Sequence, residues 1–276
     1  MGITVAIIVG CLALFLALRW LENAITFHPV RIGEGNSPMP HMAEDVWLVT
    51  RDGVRIHGWF FKSRRGPSTA TVLHFHGNGG NISNVAWVAE ELASRGFDTL
   101  LVDYRGYGRS LGEVSSEAGL YADGDAAFLY LTATRGVAAE HIIIYGQSLG
   151  TAVATDVAAR NRCGALILES GLSSASSVAS ASLPWLPRWL HFLTKNRFDS
   201  AAKLKAIRVP VLITHGDPDP VIPTAEAHAL FAAANEPRKL RVFSGVGHNV
   251  FGSVGAPYLD LVEQFIKEQA IQNRER

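Results

Sequence analysis

Cysteine is nearly missing from this 276-residue chain: there are 2, Cys11 inside an apolar amino-terminal run and Cys163 near the start of a strand-like segment. Such different settings imply no disulfide framework and leave the compartment open. Excess charge is missing as well. Lys and Arg total 25 against 25 Asp and Glu, with no basic stripe, which argues against a nucleic-acid partner. No internal repeat is evident. No carboxylate or cysteine sits at ligand spacing around His74, His76 or His215, so these read as satisfied core or loop residues, and no metal is expected. What the chain does have is 48% hydrophobic residues, enough for one large α/β core or two small ones.

Charge is also absent, locally, from residues 2–18. Those 17 residues would rise about 26 Å as a helix, slightly less than a hydrocarbon core of about 30 Å. Arg19 and Trp20 then close the run. The expectation is a single-pass membrane anchor over residues 1–20, with Trp20 in the interfacial belt and Arg19 among the head groups. A cleaved signal peptide is the alternative, although its basic n-region and Ala-x-Ala site are missing. Cys11 is a poor lipoprotein cysteine because the apolar run continues through it, and Ala6 stands where a myristoylation signal needs Ser or Thr. The one basic flank, at Arg19, votes for a cytoplasmic catalytic domain. Residues 21–44 carry Pro29, Gly33, Gly35, Pro38 and Pro40, a composition that spaces rather than folds.

From residue 45 onward, strand-like and helix-like patterns alternate. A hairpin is expected over 45–62, strands over 70–75, 97–102, 142–145, 165–169, 209–214 and 239–243, and helices ending at 95 and over 116–134, 151–160, 223–234 and 257–272. That alternation predicts one domain over residues 45–276, α/β, with a mostly parallel, doubly covered sheet and right-handed crossovers.

The chemistry-bearing stretch is His-Ile-Ile-Ile-Tyr-Gly-Gln-Ser-Leu-Gly at 141–150, a buried strand breaking into a turn and then a helix rich in small residues. A serine at such a turn projects its hydroxyl above the sheet edge, with Gly146 and Gly150 supplying room where strand and helix nearly touch. It still needs a base, an acid to orient that base, and donors for an oxyanion. In a parallel sheet these belong on loops that follow strands. His-Gly-Asn-Gly-Gly at 76–80 follows an early strand, and the N–H groups of Asn78 and Leu149 are the expected oxyanion donors. Two carboxylates, Asp217 and Asp219, follow a late strand, and either could orient an imidazole. His248, in a glycine loop after the last strand, is the expected base; the chain order Ser, Asp, His matches the elbow.

Taken together, His-Gly-Asn at 76–78, Asp-Tyr-Arg-Gly-Tyr-Gly-Arg-Ser at 103–110, Gly-Gln-Ser-Leu-Gly at 146–150, His-Gly-x-x-Asp at 215–219 and Gly-His at 247–248 give residues 20–272 a resemblance to the α/β-hydrolase superfamily. The chain is similar to its membrane-anchored, serine-aminopeptidase-like branch, which includes protein depalmitoylases. The resemblance implies an α/β-hydrolase fold with a small helical cap inserted at about 171–200. It also implies a Ser148–His248–Asp219 triad, since the family's acid is the fifth residue of the His-Gly motif, and it makes Asp103 structural. No cofactor is implied, and the expected substrate is an acyl ester or thioester, small molecule or lipid.

Within the insert, Trp185, Leu186, Trp189, Leu190 and Leu193 fall at helical spacing. They form either a face packed on the core or an acyl-binding lip, with Trp185 and Trp189 as candidate substrate contacts. A peptidase on the same scaffold would want an anionic subsite for a free amino terminus, and Glu169 is the nearby candidate. A non-catalytic membrane scaffold fits poorly with a complete triad, and haloalkane or epoxide hydrolysis would need a carboxylate where Ser148 stands.

Overall fold

The computed structural model describes residues 2–32, 39–182, 185 and 194–274. In chain order the elements that matter are α1 (Gly2–Thr26), β1 (His28–Pro29), β2 (Ala43–Val49), β3 (Arg55–Phe61), β4 (Thr71–Phe75), β5 (Gly79–Gly80), α2 (Ala86–Ser94), β6 (Asp98–Val102) and α3 (Glu117–Leu129). They continue with β7 (Ile142–Gln147), α4 (Gly150–Arg160), β8 (Ala165–Glu169), α5 (Ala175–Ser182), α6 (Ser200–Leu204) and β9 (Val211–Gly216). The chain closes with α7 (Ala225–Ala233), β10 (Arg238–Phe243), α8 (Val250–Val254) and α9 (Ala256–Arg274).

Eight strands form one sheet in the order β10-β9-β8-β7-β4-β6-β3-β2. The β2–β3 and β3–β6 pairs are antiparallel and the rest parallel. Consecutive residues of the central strands face opposite sides, as the two-residue period of a strand requires. Leu73, Ile144, Leu166 and Ile213 join one buried cluster with α3, α4 and α7, whereas Val72, Ile143, Ile167 and Leu212 join a second with α2 and α9. Both faces are therefore dry. This explains why these strands read as continuous apolar runs.

From β4 the chain steps outward to β6, then crosses back over β4 to β7 and proceeds the other way through β8, β9 and β10. The carboxyl ends of β4 and β7 thus flank the point where winding reverses, the place where such sheets open a crevice.

Two expectations change at the amino terminus. The apolar helix does not stop at residue 20 but runs to Thr26, and its stretch Ile8–Thr26 is long and apolar enough to cross a membrane. Nor do residues 21–44 simply space: His28 and Pro29 pair in parallel with Gly79 and Gly80, and Arg31 bridges to Gly108. Composition hid this because the partners are glycines, whose contribution is backbone alone.

Candidate active site

Two residues separate the end of β7 at Gln147 from the start of α4 at Gly150. In that space Ser148 adopts φ +52°, a left-handed conformation that costs a residue carrying a Cβ. The surroundings hold it there. Ser148 N–H donates to Glu169 O at 2.9 Å, and Ser148 O accepts from Thr151 N at 3.0 Å and Thr151 Oγ1 at 2.6 Å. A Cβ on Gly146 would lie 2.4 Å from Gly150 O, and one on Gly150 2.1 Å from Phe75 O. Any larger residue at either position would push strand and helix apart.

The loop after β10 brings His248 over this serine, with Nε2 2.9 Å from Ser148 Oγ. Its other ring nitrogen, Nδ1, lies 2.7 Å from Asp219 Oδ2 in the loop after β9. For both contacts to be hydrogen bonds, Nδ1 carries the proton donated to Asp219 and Nε2 accepts from the serine hydroxyl. Asp219 is well supplied with donors. Oδ1 accepts from Val221 N at 2.8 Å and Ile222 N at 3.0 Å, and His215 Nε2 lies 3.2 Å from Oδ2. Burial alone would raise the Asp219 pKa, but these hydrogen bonds outweigh it and hold the carboxyl well below its usual range.

Asp217, the other carboxylate of that loop, accepts from Ser244 Oγ at 2.9 Å and Gly245 N at 2.8 Å. It fastens two loops together and makes no bond to an imidazole among the described residues. Asp103 is fully buried, accepts from Ile82 N at 2.9 Å, and would lie 1.9 Å from a Cβ placed on Gly108. Its place is in the architecture of the 103–110 loop.

Leu149 follows the serine, and the His76–Asn78 loop passes beside it: a Cβ on Gly77 would sit 3.4 Å from Ser148 Cβ. Among the described residues, neither the Leu149 N–H nor the Asn78 N–H donates to a protein acceptor. Unpaired backbone donors are uncommon in partly buried positions. Both stretches that carry these donors lie next to Ser148, one through Gly77 and the other as the residue that follows it.

Residues 66–201 match the family described as serine aminopeptidase, S33. An uncharacterized protein of Mycobacterium tuberculosis (strain ATCC 25618 / H37Rv) is 38% identical over 228 residues, covering 82% of this chain and 80% of that protein. Alpha/beta hydrolase domain-containing protein 17B of Xenopus laevis is 37% identical over 202 residues, covering 73% of this chain and 67% of that protein. The chain belongs to the α/β-hydrolase superfamily. Among solved structures, the Pyrococcus furiosus esterase Pf2001 superposes with a TM-score of 0.72 at 21% identity, covering 89% of this chain and 98% of that one.

Around this hydrolase site stand residues that sequence reading undervalued. Ser170, at φ +48°, donates from Oγ to His248 O at 2.7 Å and so fixes the histidine loop. His215, read as a loop residue, donates from Nε2 to Ile222 O at 2.9 Å and stands against Asp219. The His-Gly-x-x-Asp spacing was the available signal for it. His74 corrects an expectation: rather than being satisfied, neither ring nitrogen has a hydrogen-bond partner among the described residues, and burial pushes its pKa down to about 3.

Glu169 is fully buried at the end of β8. Its carboxyl accepts from the Tyr145 hydroxyl and from Phe251 N at 2.8 Å. It is occupied by the fold rather than open to a substrate's amino group.

The insert after β8 is closed at its base. Ala175 N donates to Arg197 O at 2.8 Å, Ala201 N donates to Ser173 O at 3.0 Å, and Ser173 N and Oγ both donate to the buried carboxylate of Glu226. Trp185 is 76% exposed and so is not packed on the core. Trp189, Leu186, Leu190 and Leu193 lie outside the described residues.

Proposed function

We propose that this hydrolase cleaves carboxylic ester or thioester bonds through a Ser148 acyl-enzyme. The observation that carries the reading is His248 bridging Ser148 Oγ and Asp219 Oδ2 at 2.9 and 2.7 Å. Ser148 Oγ attacks the acyl carbonyl while its proton passes to His248 Nε2. The Nδ1–H bond to Asp219 keeps Nε2 free to accept and stabilises the imidazolium that forms. The N–H groups of Leu149 and Asn78 receive the developing oxyanion. Collapse of the tetrahedral species expels the alcohol or thiol, which takes the proton from His248. Water then repeats the sequence on the acyl-enzyme, releasing the acid and restoring the serine.

The α1 stretch Ile8–Thr26, of mean hydropathy 1.7 and with none of its window buried, supports a membrane anchor. Acyl substrates borne by or near a lipid surface suit that placement. The family description favours a second reading, an aminopeptidase. That reading needs an anionic pocket for an amino terminus, and the nearby Glu169 is committed to Tyr145 and Phe251. The test is fluorophosphonate labelling followed by a panel of acyl p-nitrophenyl esters, acyl thioesters and aminoacyl amides. Ser148→Ala should abolish the label and lower kcat on the order of 10⁶-fold. An unlabelled wild type, or a Ser148→Ala variant as active as wild type, overturns the assignment; turnover confined to the amides moves it to the peptidase.

A further inference from the structure

The neck between α1 and the hydrolase domain grips the loop that carries one of the two oxyanion donors. Asn78 Nδ2 donates to the carbonyl of Thr26, the last residue of α1, at 3.3 Å. Going the other way, His28 N–H donates to Asn78 O at 3.2 Å, and Tyr107 Oη donates to the same carbonyl at 2.9 Å. The pairing continues through His28–Gly79 and Pro29–Gly80, then Val30 N to Gly80 O at 3.3 Å and Asn81 Nδ2 to Val30 O at 3.2 Å. The backbone carbonyl and the side-chain N–H of Asn78 are therefore taken up, with one bond from His28 in the neck and one to Thr26 at the end of α1.

The loop has little of its own to fix it. Gly79 and Gly80 offer no side chains, and Gly80 sits at φ +77°, so the conformational freedom of this stretch is restrained from outside. The end of the helix is itself pinned. The Glu22 carboxylate accepts from Lys195 N and from Asn196 N, both at 2.8 Å. Phe27, buried, meets Phe198 edge-on at 6.3 Å between ring centroids. The last turn of α1 is thus fastened to the return of the insert on one side and to the oxyanion loop on the other.

We infer that the final turn of α1 and the neck at residues 27–32 are positioning elements of the oxyanion site, holding the Asn78 N–H where charge develops on the substrate. The inference rests on the acyl-transfer reading, since only that chemistry gives Asn78 N–H its task. The amino-terminal helix then does more than tether. It completes the site, and the peptide bonds that follow it set how well the tetrahedral species is held.

The test uses the full chain in detergent micelles, with a p-nitrophenyl ester as substrate and an alkylboronic acid as the tetrahedral mimic that bonds to Ser148. His28→Pro removes the N–H donated to Asn78 O, and His28→Ala keeps it. Positioning predicts a kcat for His28→Ala about 10-fold or more above that of His28→Pro, with KM changed less than about 2-fold and boronate affinity falling in step with kcat, because a misplaced donor weakens the transition state selectively. If the proline variant does not fold, Asn78→Ala removes only the bond to Thr26 O while retaining its own N–H. There the expected loss is about 3- to 10-fold in kcat, again with a matching loss of boronate affinity. A lower thermal midpoint with kcat and boronate affinity as in wild type overturns the inference and leaves the hydrolase reading standing. A wild type that neither turns over the ester nor takes a fluorophosphonate on Ser148 overturns both.

Discussion

Two carboxyl groups stand one strand apart at the carboxyl edge of the sheet, Asp219 beyond β9 and Glu169 at the end of β8, and their surroundings treat them in opposite ways. Asp219 meets two backbone N–H groups and two imidazoles, and these outweigh burial, so its charge is favoured. Glu169 lies against Tyr145, Tyr258 and Gln147, and burial dominates its few donors and raises its pKa. The difference suits the role the proposed mechanism gives Asp219. In that mechanism a carboxylate facing an imidazole that becomes cationic has to be ionised beforehand, whereas one that ties strands to α8 and α9 in a dry interior meets too few donors to offset burial, which raises its pKa. It is the donors around each carboxyl, and not proximity to the serine, that set the two apart.

The sharpest way to break this comparison is to neutralise each group without changing its size. Asp219→Asn should lower kcat on the order of 10⁴-fold on a p-nitrophenyl ester, because an amide cannot hold the imidazole in the required tautomer or balance its charge. Glu169→Gln should cost less than about 10-fold, since Gln retains the oxygen that accepts from Phe251 N. Equal losses in the two variants would show that the carboxyls do not divide the work in this way.

A second measurement reads the same contrast through stability. In the unfolded chain Glu169 would titrate near 4.5, and in the folded chain burial raises that value. As pH climbs above 4.5 the unfolded chain releases its proton first, so stability that is fully present below that pH is lost as pH rises through the folded pKa. Glu169→Gln has no proton to lose. Its Tm relative to wild type should therefore rise between pH 4.5 and pH 8, followed by calorimetry or circular dichroism, and a flat difference would mean that Glu169 ionises in the fold as freely as in water.

Much of this site was legible in the residues because the elbow is a local problem. A Cβ on Gly146 would lie 2.4 Å from Gly150 O inside the strand-turn-helix unit and one on Gly150 2.1 Å from Phe75 O on the adjoining β4, and such close approaches leave a short, dense signature. The sheet was legible for a related reason: its central strands are buried on both faces and carry uninterrupted apolar runs. The neck was not. On its own side its bonds to residues 78–81 are made by backbone groups, two of its partners are Gly79 and Gly80, and nothing in residues 27–32 marks which distant peptide they meet. Ser170 and His215 escaped for another reason, since a hydroxyl fixing a carbonyl or an imidazole supporting a carboxylate looks like any loop residue until the loops are assembled. The choice between Asp217 and Asp219 was likewise open to composition, and the 2.7 Å contact of His248 with Asp219 supports the latter in the proposed mechanism.

That choice supplies the smallest and most discriminating effect. Asp217 receives Ser244 Oγ and Gly245 N at an exposed position, and each such bond contributes about 0.5–1.5 kcal/mol. Asp217→Ala should lower Tm by a few degrees, as expected for losses of that size in a domain of this length. Its kcat on the same ester should stay within about 3-fold of wild type, because the bond from His248 to Asp219 at 2.7 Å is untouched and Gly245 lies three residues before the histidine. A collapse of kcat comparable to that of Asp219→Asn, at unchanged Tm, would mean that the histidine loop shifts to use Asp217 when substrate is bound. The 2.7 Å contact would then describe the resting enzyme alone.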